Sequence, residues 1–128
     1  MSRTDTANLE IVDRFIAAFN ANDLDRIMSC FCEDAVYHNM PVAPVAGLDA
    51  IRAVIGGFQG MATEIDWIVH HSAADARGTV LNERTDRFLI NGKWIELPVM
   101  GTFEIRGGRI AKWRDYFDMS QFTSQIAG

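Results

Sequence analysis

Residues 63 to 118 form four runs in which apolar and polar side chains take turns, and this alternation constrains the fold more than any other feature. Strand side chains alternate faces with a period of two. Residues 63–73, 79–90, 94–106 and 109–118 are therefore expected as strands. Asn91-Gly92, the strongest two-residue hairpin signal, joins the second run to the third. Gly107-Gly108 closes the next hairpin, and residues 75–78 make a looser turn between the first two runs.

Helical signals come first in the chain. Leu9, Val12, Phe15, Ile16 and Phe19 recur at helical spacing across residues 7–20, with Thr4 or Thr6 as the expected cap. Asp23 is expected to cap a short second helix through Leu24, Ile27, Met28 and Phe31, followed by a turn at Cys32-Glu33-Asp34. Residues 35–39 read as a short strand ended by Pro41 and Pro44, and residues 40–47 as a loop that rims a pocket. Leu48, Ile51, Ile55 and Phe58 stripe a third helix over 48–58, with Gly56-Gly57 weakening its end. Residues 119–127 read as a last helical turn or a tail. Helices followed by strands indicate an α+β fold. The expected form is a strongly curved antiparallel sheet with the helices on its concave side, a cone enclosing an apolar pocket with polar groups at its floor.

Three charged residues occupy positions where the alternation calls for apolar ones. Arg84 and Asp86 share a strand face with Val80, Phe88 and Ile90, and Asp115 shares one with Ala111, Trp113 and Phe117. An ionised group on an apolar face is costly unless it is paired or its pKa moves. Two inward acids and one inward arginine point to a paired-carboxylate active site. A guanidinium can hold both acids by forked hydrogen bonds. The acids would then titrate as a coupled unit, with one kept protonated near neutral pH. Tyr37 and Asn39, two apart in a strand, share a face and offer a hydroxyl, a donor and an acceptor. With a carboxylate they could fix one water by three hydrogen bonds. Phe88 and Phe117 are the residues best placed to touch a substrate, and Met40, Trp113 and Met100 are expected to line the same cavity.

Composition narrows the partners. A chain of 128 residues and 14.3 kDa is expected to form one domain, 1–128. A net charge of −5 argues against nucleic acid and anionic membrane. Cys30 and Cys32, with Glu33, Asp34 and His38 nearby, form no zinc spacing and read as reduced thiols. The stretch from Met1 to Thr6 is polar, and no apolar run approaches the ~20 residues of a membrane span. The expected location is the cytoplasm. His38, His70, His71 and Asp118 are not expected in the site.

Tyr37-His38-Asn39-Met40-Pro41, Glu83-Arg84-Thr85-Asp86 and Trp113-Arg114-Asp115-Tyr116-Phe117-Asp118 resemble the limonene-1,2-epoxide hydrolase family. That family lies within the cone-shaped α+β folds related to nuclear transport factor 2 (SnoaL-like) and ketosteroid isomerase. The resemblance implies one-step hydrolysis of a small apolar epoxide, a terpene or cycloalkene oxide, to a vicinal trans diol. Asp115 would be general base on a water also held by Tyr37 and Asn39, Asp86 general acid, and Arg84 the bridge between the acids. It implies no metal or organic cofactor, and a homodimer formed through the sheet. Two other readings compete. One is an isomerase of the ketosteroid type, against which Arg84 stands. The other is a non-catalytic ligand-binding or dimerisation module, which has no need of all five polar positions.

Overall fold

The computed structural model describes residues 2–128. Helix α1 (Arg3–Asn20) begins four residues earlier than the periodicity predicts, because Ser2 rather than Thr4 or Thr6 accepts the hydrogen bond from Asp5 N. Its apolar stripe buries Val12, Phe15, Ile16 and Phe19. Asp23 caps the short helix α2 (Leu24–Ser29), accepting from Arg26 N. The predicted turn at Cys32-Glu33-Asp34 is instead part of strand β1 (Phe31–Asn39). The chain is held extended from both ends, where Ile110 N donates to Cys30 O and residues from Val36 onward pair with the last strand, while Asp34 forms an ion pair with Arg106. Val45–Ala46 forms a two-residue strand, β2, within the predicted loop. Helix α3 (Leu48–Met61) runs through Gly56-Gly57, which costs roughly 1 kcal/mol per glycine. Complete burial of Ile51 and Ile55 offsets that penalty.

The four long strands follow as the alternation predicts: β3 (Glu64–Ala74), β4 (Thr79–Ile90), β5 (Lys93–Arg106) and β6 (Arg109–Tyr116). Asn91 and Gly92 both have positive φ, 51° and 76°, as a tight hairpin turn with the twist of the strands requires. The last segment is a helix, α4 (Met119–Ala127), capped by Asp118.

The six strands form one curled, unclosed sheet in the order β2-β1-β6-β5-β4-β3. The sheet is antiparallel, as expected, except between β1 and β6, which pair in parallel with Tyr37 opposite Trp113 and Asn39 opposite Asp115. That pairing sets the first polar motif beside the last. Register shifts at Val69/His71 and Glu104/Ile105 mark irregularities of the kind that bend strands. Helix α1 packs on β3 and β4, and α3 packs on β1 and β2. The core between them is aromatic: Phe15 meets Trp113 edge-on at 4.9 Å, and Phe19 stacks on Trp67 at 4.1 Å. Among the described residues no helix is long and apolar enough to cross a membrane.

One side chain ties the helical layer to the sheet. Asn20 Nδ2 donates to Trp67 O at 3.1 Å, and Asn20 Oδ1 accepts from Trp67 N at 2.7 Å. The amide thus pairs with the edge strand β3 as another strand would. Asn20→Ala removes both bonds and is expected to lower stability by about 2 kcal/mol, measured by urea denaturation.

Candidate active site

Alternation along β4 turns Asn82, Arg84, Asp86 and Phe88 to the inner face, and alternation along β6 does the same for Trp113 and Asp115. Strand β5 lies between them and pairs with both, Gly101 standing opposite Asn82 on one side and Asp115 on the other. Glycine is required at that point. A Cβ on residue 101 would collide with Arg84 Nη1 and lie 2.7 Å from Asn82 Oδ1. The gap in the side-chain layer is what the guanidinium fills.

Arg84 is fully buried and spends its donors on three neighbours. Nε donates to Asp86 Oδ1 at 2.9 Å, and Nη1 donates to Asn82 Oδ1 at 2.8 Å. Nη2 serves both acids, donating to Asp86 Oδ2 at 3.0 Å and to Asp115 Oδ2 at 2.8 Å. The guanidinium also lies over the Trp67 ring, 5.0 Å from its centre. Asp115 receives a further bond from Trp113 Nε1 at 2.7 Å. Across the β1–β6 pair, the Tyr37 hydroxyl donates to Asn39 Oδ1 at 3.0 Å, which leaves the Asn39 Nδ2 donor outside that bond.

Burial governs the charge states. Burial raises Asp86, the charge of Asp115 adds to it, and against the pull of Arg84 the carboxyl is left at about 6. Burial also raises Asp115, again opposed by Arg84 and by the Trp113 indole. Neither acid gives up its proton as readily as an exposed aspartate, and each disfavours ionisation of the other. The pair therefore holds one proton over a pH range where two exposed aspartates would hold none. Burial works against the charge of Arg84, but Asp115 and Asp86 outweigh it and hold the guanidinium charged. Burial, with the charge of Asp115 adding to it, pushes the Tyr37 hydroxyl well above its usual range, so it stays neutral.

These groups sit at one end of a cavity of about 220 Å³. Tyr37, Asn39, Asp86 and Asp115 supply its polar wall, while Arg84 lies behind the acids. The remainder is apolar: Val54 and Phe58 from α3, Trp67, Phe88, Leu97 and Val99 from the sheet, Phe117, and Met119 and Phe122 from α4 and its start. Phe88 and Phe117 thus line the cavity. Met40, Trp113 and Met100 do not. The chain turns sharply after Asn39, with Val42 N donating to Asn39 O, so Val42 reaches the cavity and Met40 is left partly exposed. Met100 is an even-numbered residue of a strand whose odd positions face inward, and it stands on the outer face opposite Glu83 and Tyr116. Trp113 faces inward but lies beneath the floor, covered by the Tyr37 ring stacked on it at 4.1 Å.

Asn82 and Gly101 complete the site and were not singled out in the sequence. Asn82 carries a readable signal, since it shares the face of Arg84 two positions earlier. Gly101 interrupts the inward series Leu97, Val99, Phe103, where a glycine marks close approach of another group. His38 Nε2 bonds with Val42 O, His70 meets Thr85 on the outer face, and Asp118 caps α4; none reaches the acids. Among the described residues no three His, Cys, Asp or Glu side chains gather in a way that could hold a metal ion.

Residues 6–127 match the limonene-1,2-epoxide hydrolase catalytic domain. The epoxide hydrolase EphG of Mycobacterium tuberculosis is 32% identical over 108 residues, 84% of this chain and 71% of that protein. The solved structure of an M. tuberculosis LEH-like epoxide hydrolase superposes with a TM-score of 0.84 at 30% identity, covering 97% of this chain and 92% of that one. A putative isomerase from Bacillus subtilis also superposes with a TM-score of 0.84, at 20% identity over 96% of this chain and 94% of that one, a likeness of fold alone.

Arg84→Met leaves two buried carboxyls without their shared cation. The expected loss of stability is roughly 3–5 kcal/mol at pH 8. Both acids then have folded pKa values further above their unfolded ones, so the variant is relatively most stable at low pH and weakens as pH rises. Denaturation at pH 5 and pH 8 reads the difference, with the smaller loss expected at pH 5.

Proposed function

The chain belongs to the limonene-1,2-epoxide hydrolase family, and we propose that it hydrolyses a small apolar epoxide to a vicinal diol in one step, with Asp115 as general base and Asp86 as general acid. The observation that carries this reading is the single guanidinium nitrogen donating to both carboxylates at the wall of an apolar cavity. Such a bridge lets one acid hold a proton while the other is charged.

Position supports this assignment of roles. Asp115 stands opposite Asn39 in the β1–β6 pair, beside the two side chains able to orient water. A water there accepts from Asn39 Nδ2 and donates to Asp115, with Tyr37 Oη as its third partner. Its oxygen attacks one epoxide carbon from the side opposite the ring oxygen, and its proton passes to Asp115. The carbon–oxygen bond breaks, and the leaving oxygen takes the proton of Asp86. Back-side attack on a cyclic epoxide gives the trans diol. The proton then returns across the pair from Asp115 to Asp86, and the site is reset. Ring strain activates the substrate, so the reaction calls on no metal or organic cofactor. Prior orientation of the water supplies several kcal/mol of the barrier, and acid–base assistance adds roughly 10²–10⁴-fold.

The cavity volume favours a substrate smaller than the drug-sized ligands of ~300–1,000 Å³ pockets. The apolar wall suits a terpene or cycloalkene oxide. The bridge from Arg84 to both acids weighs against a ketosteroid-type isomerase, in which a neutral acid works beside an isolated base. We also propose that the chain pairs with a second copy through the outer sheet face, where Ile68, Leu81, Met100 and Tyr116 are exposed. Free Cys30 and Cys32 suit a reducing cytoplasm.

Cyclohexene oxide and limonene oxide test the reaction, with diol as the expected product. Asp115→Asn and Asp86→Asn are each expected to lower kcat at least 10³-fold with the fold intact by circular dichroism; near-wild-type rates in either would overturn the roles. In a single turnover in ¹⁸O-water the label should enter the diol at once, whereas an ester intermediate would deliver protein oxygen first. Because Asp86 must be protonated and burial holds it near about 6, kcat/KM should fall as pH rises past that region. Sedimentation equilibrium should give twice the 14.3 kDa chain mass.

A further inference from the structure

Arg84 alone gives Asp86 the advantage as the charged member of the pair. Its guanidinium makes two bonds to Asp86, through Nε and Nη2, and one to Asp115. A carboxylate with more donors holds its charge better, so a site built only of the three central residues would ionise Asp86. That is the wrong acid for a water held on the far side of Asp115. Among the described residues one further side-chain donor reaches either carboxylate, and it is Trp113.

We propose that Trp113 is a positioning residue that makes Asp115 the ionised acid, and hence the base, by donating its indole N–H to Asp115 Oδ1. The proposal rests on the epoxide-hydrolase reading above and deepens it. The N–H bond is 2.7 Å long and wholly buried. It brings Asp115 to two donors, at 2.7 and 2.8 Å, against 2.9 and 3.0 Å for Asp86. Shorter charge-assisted bonds are the stronger ones, so the balance tips to Asp115.

The indole is held to this task by its neighbours. Trp113 is completely buried, with Phe15 edge-on at 4.9 Å and Phe103 stacked at 5.8 Å. Tyr37 lies parallel to it at 4.1 Å and 9°, so the same ring seats the hydroxyl that orients the water. The titratable groups facing Asp115 are Arg84 and Asp86 from β4 and Tyr37 from β1. Strand β5 presents Gly101 there, α1 presents Phe15 and Phe19 to the indole, and α3 and α4 bring apolar side chains to the cavity. Among the described residues the cavity wall carries no charged side chain besides the two acids.

Trp113→Phe keeps an aromatic ring and removes the donor. The expected result is a loss of ten-fold or more in kcat at neutral pH with a smaller change in KM. The acid limb of the pH profile should move about one unit to higher pH, because Asp115 then binds its proton more tightly. A loss equal at every pH, with the limb unmoved, would reduce Trp113 to a packing role and overturn the proposal. The indole signal gives an independent reading that needs no substrate. With ¹⁵N-labelled indole, the Trp113 N–H proton should resonate far downfield. It should move upfield as acid protonates the pair, and lie upfield at every pH in Asp115→Asn. An indole signal indifferent to pH and to Asp115→Asn would sink the idea. If none of the epoxides is turned over, the reaction assignment falls, while the indole titration still decides which acid carries the charge.

Discussion

A guanidinium buried beneath a sheet, with carboxylates on two different strands sharing one of its nitrogens, is the interaction around which this molecule is organised. Removing Arg84, Asp86 and Asp115 from water costs several kcal/mol per ion. The structure offsets this by giving the three ions partners: Asn82 for Nη1, both acids for Nε and Nη2, the Trp113 indole for the second oxygen of Asp115, and the Trp67 face for the guanidinium plane. Gly101 completes the arrangement by being absent as a side chain. Remove the space it leaves, and the cation has nowhere to lie.

The aromatic core explains why so polar a cluster stays ordered. Trp113 is in contact with rings from α1, β1, β3 and β5. Each aromatic pair of this kind contributes roughly 0.5–1.5 kcal/mol beyond the area it buries. The cluster stands on that platform, while the apolar cavity opens on its other side. Groups fixed in this way need little reorganisation when charge moves during a reaction, which is the condition for electrostatic and acid–base catalysis in an apolar site.

The inward charges of β4 and β6 were legible in the sequence because a two-residue period fixes faces without reference to anything distant. The same rule would have reached Asn82 and excluded Met100, since each follows from counting along its own strand. Other features were beyond it. The turn after Asn39 exchanges Met40 for Val42 at the cavity, and it depends on a backbone bond between nearby residues rather than on periodicity. Cys32-Glu33-Asp34 carries turn residues but becomes strand because β1 is held to β6 on both sides of it, at Phe31 and from Val36 onward. Gly56-Gly57 should weaken a helix, and tertiary burial of Ile51 and Ile55 overrides that preference.

By itself, then, the order of residues determined the four long strands, their faces, the two tight hairpins and the three charges that must find one another inside. These are local matters, settled by periodicity and by the turn chemistry of Asn91-Gly92 and Gly107-Gly108. Tertiary structure decided what those charges do. Parallel pairing of β1 with β6 brings Tyr37 and Asn39 alongside Trp113 and Asp115 from far along the chain. The interposed strand β5 supplies the vacancy at Gly101 through which Arg84 reaches both acids. Trp113 reads in the sequence as one more cavity residue, and only packing makes its N–H a partner of Asp115. Alternation assigns a side chain to a face, but which atom it meets there depends on register between strands, and register is a property of the assembled sheet.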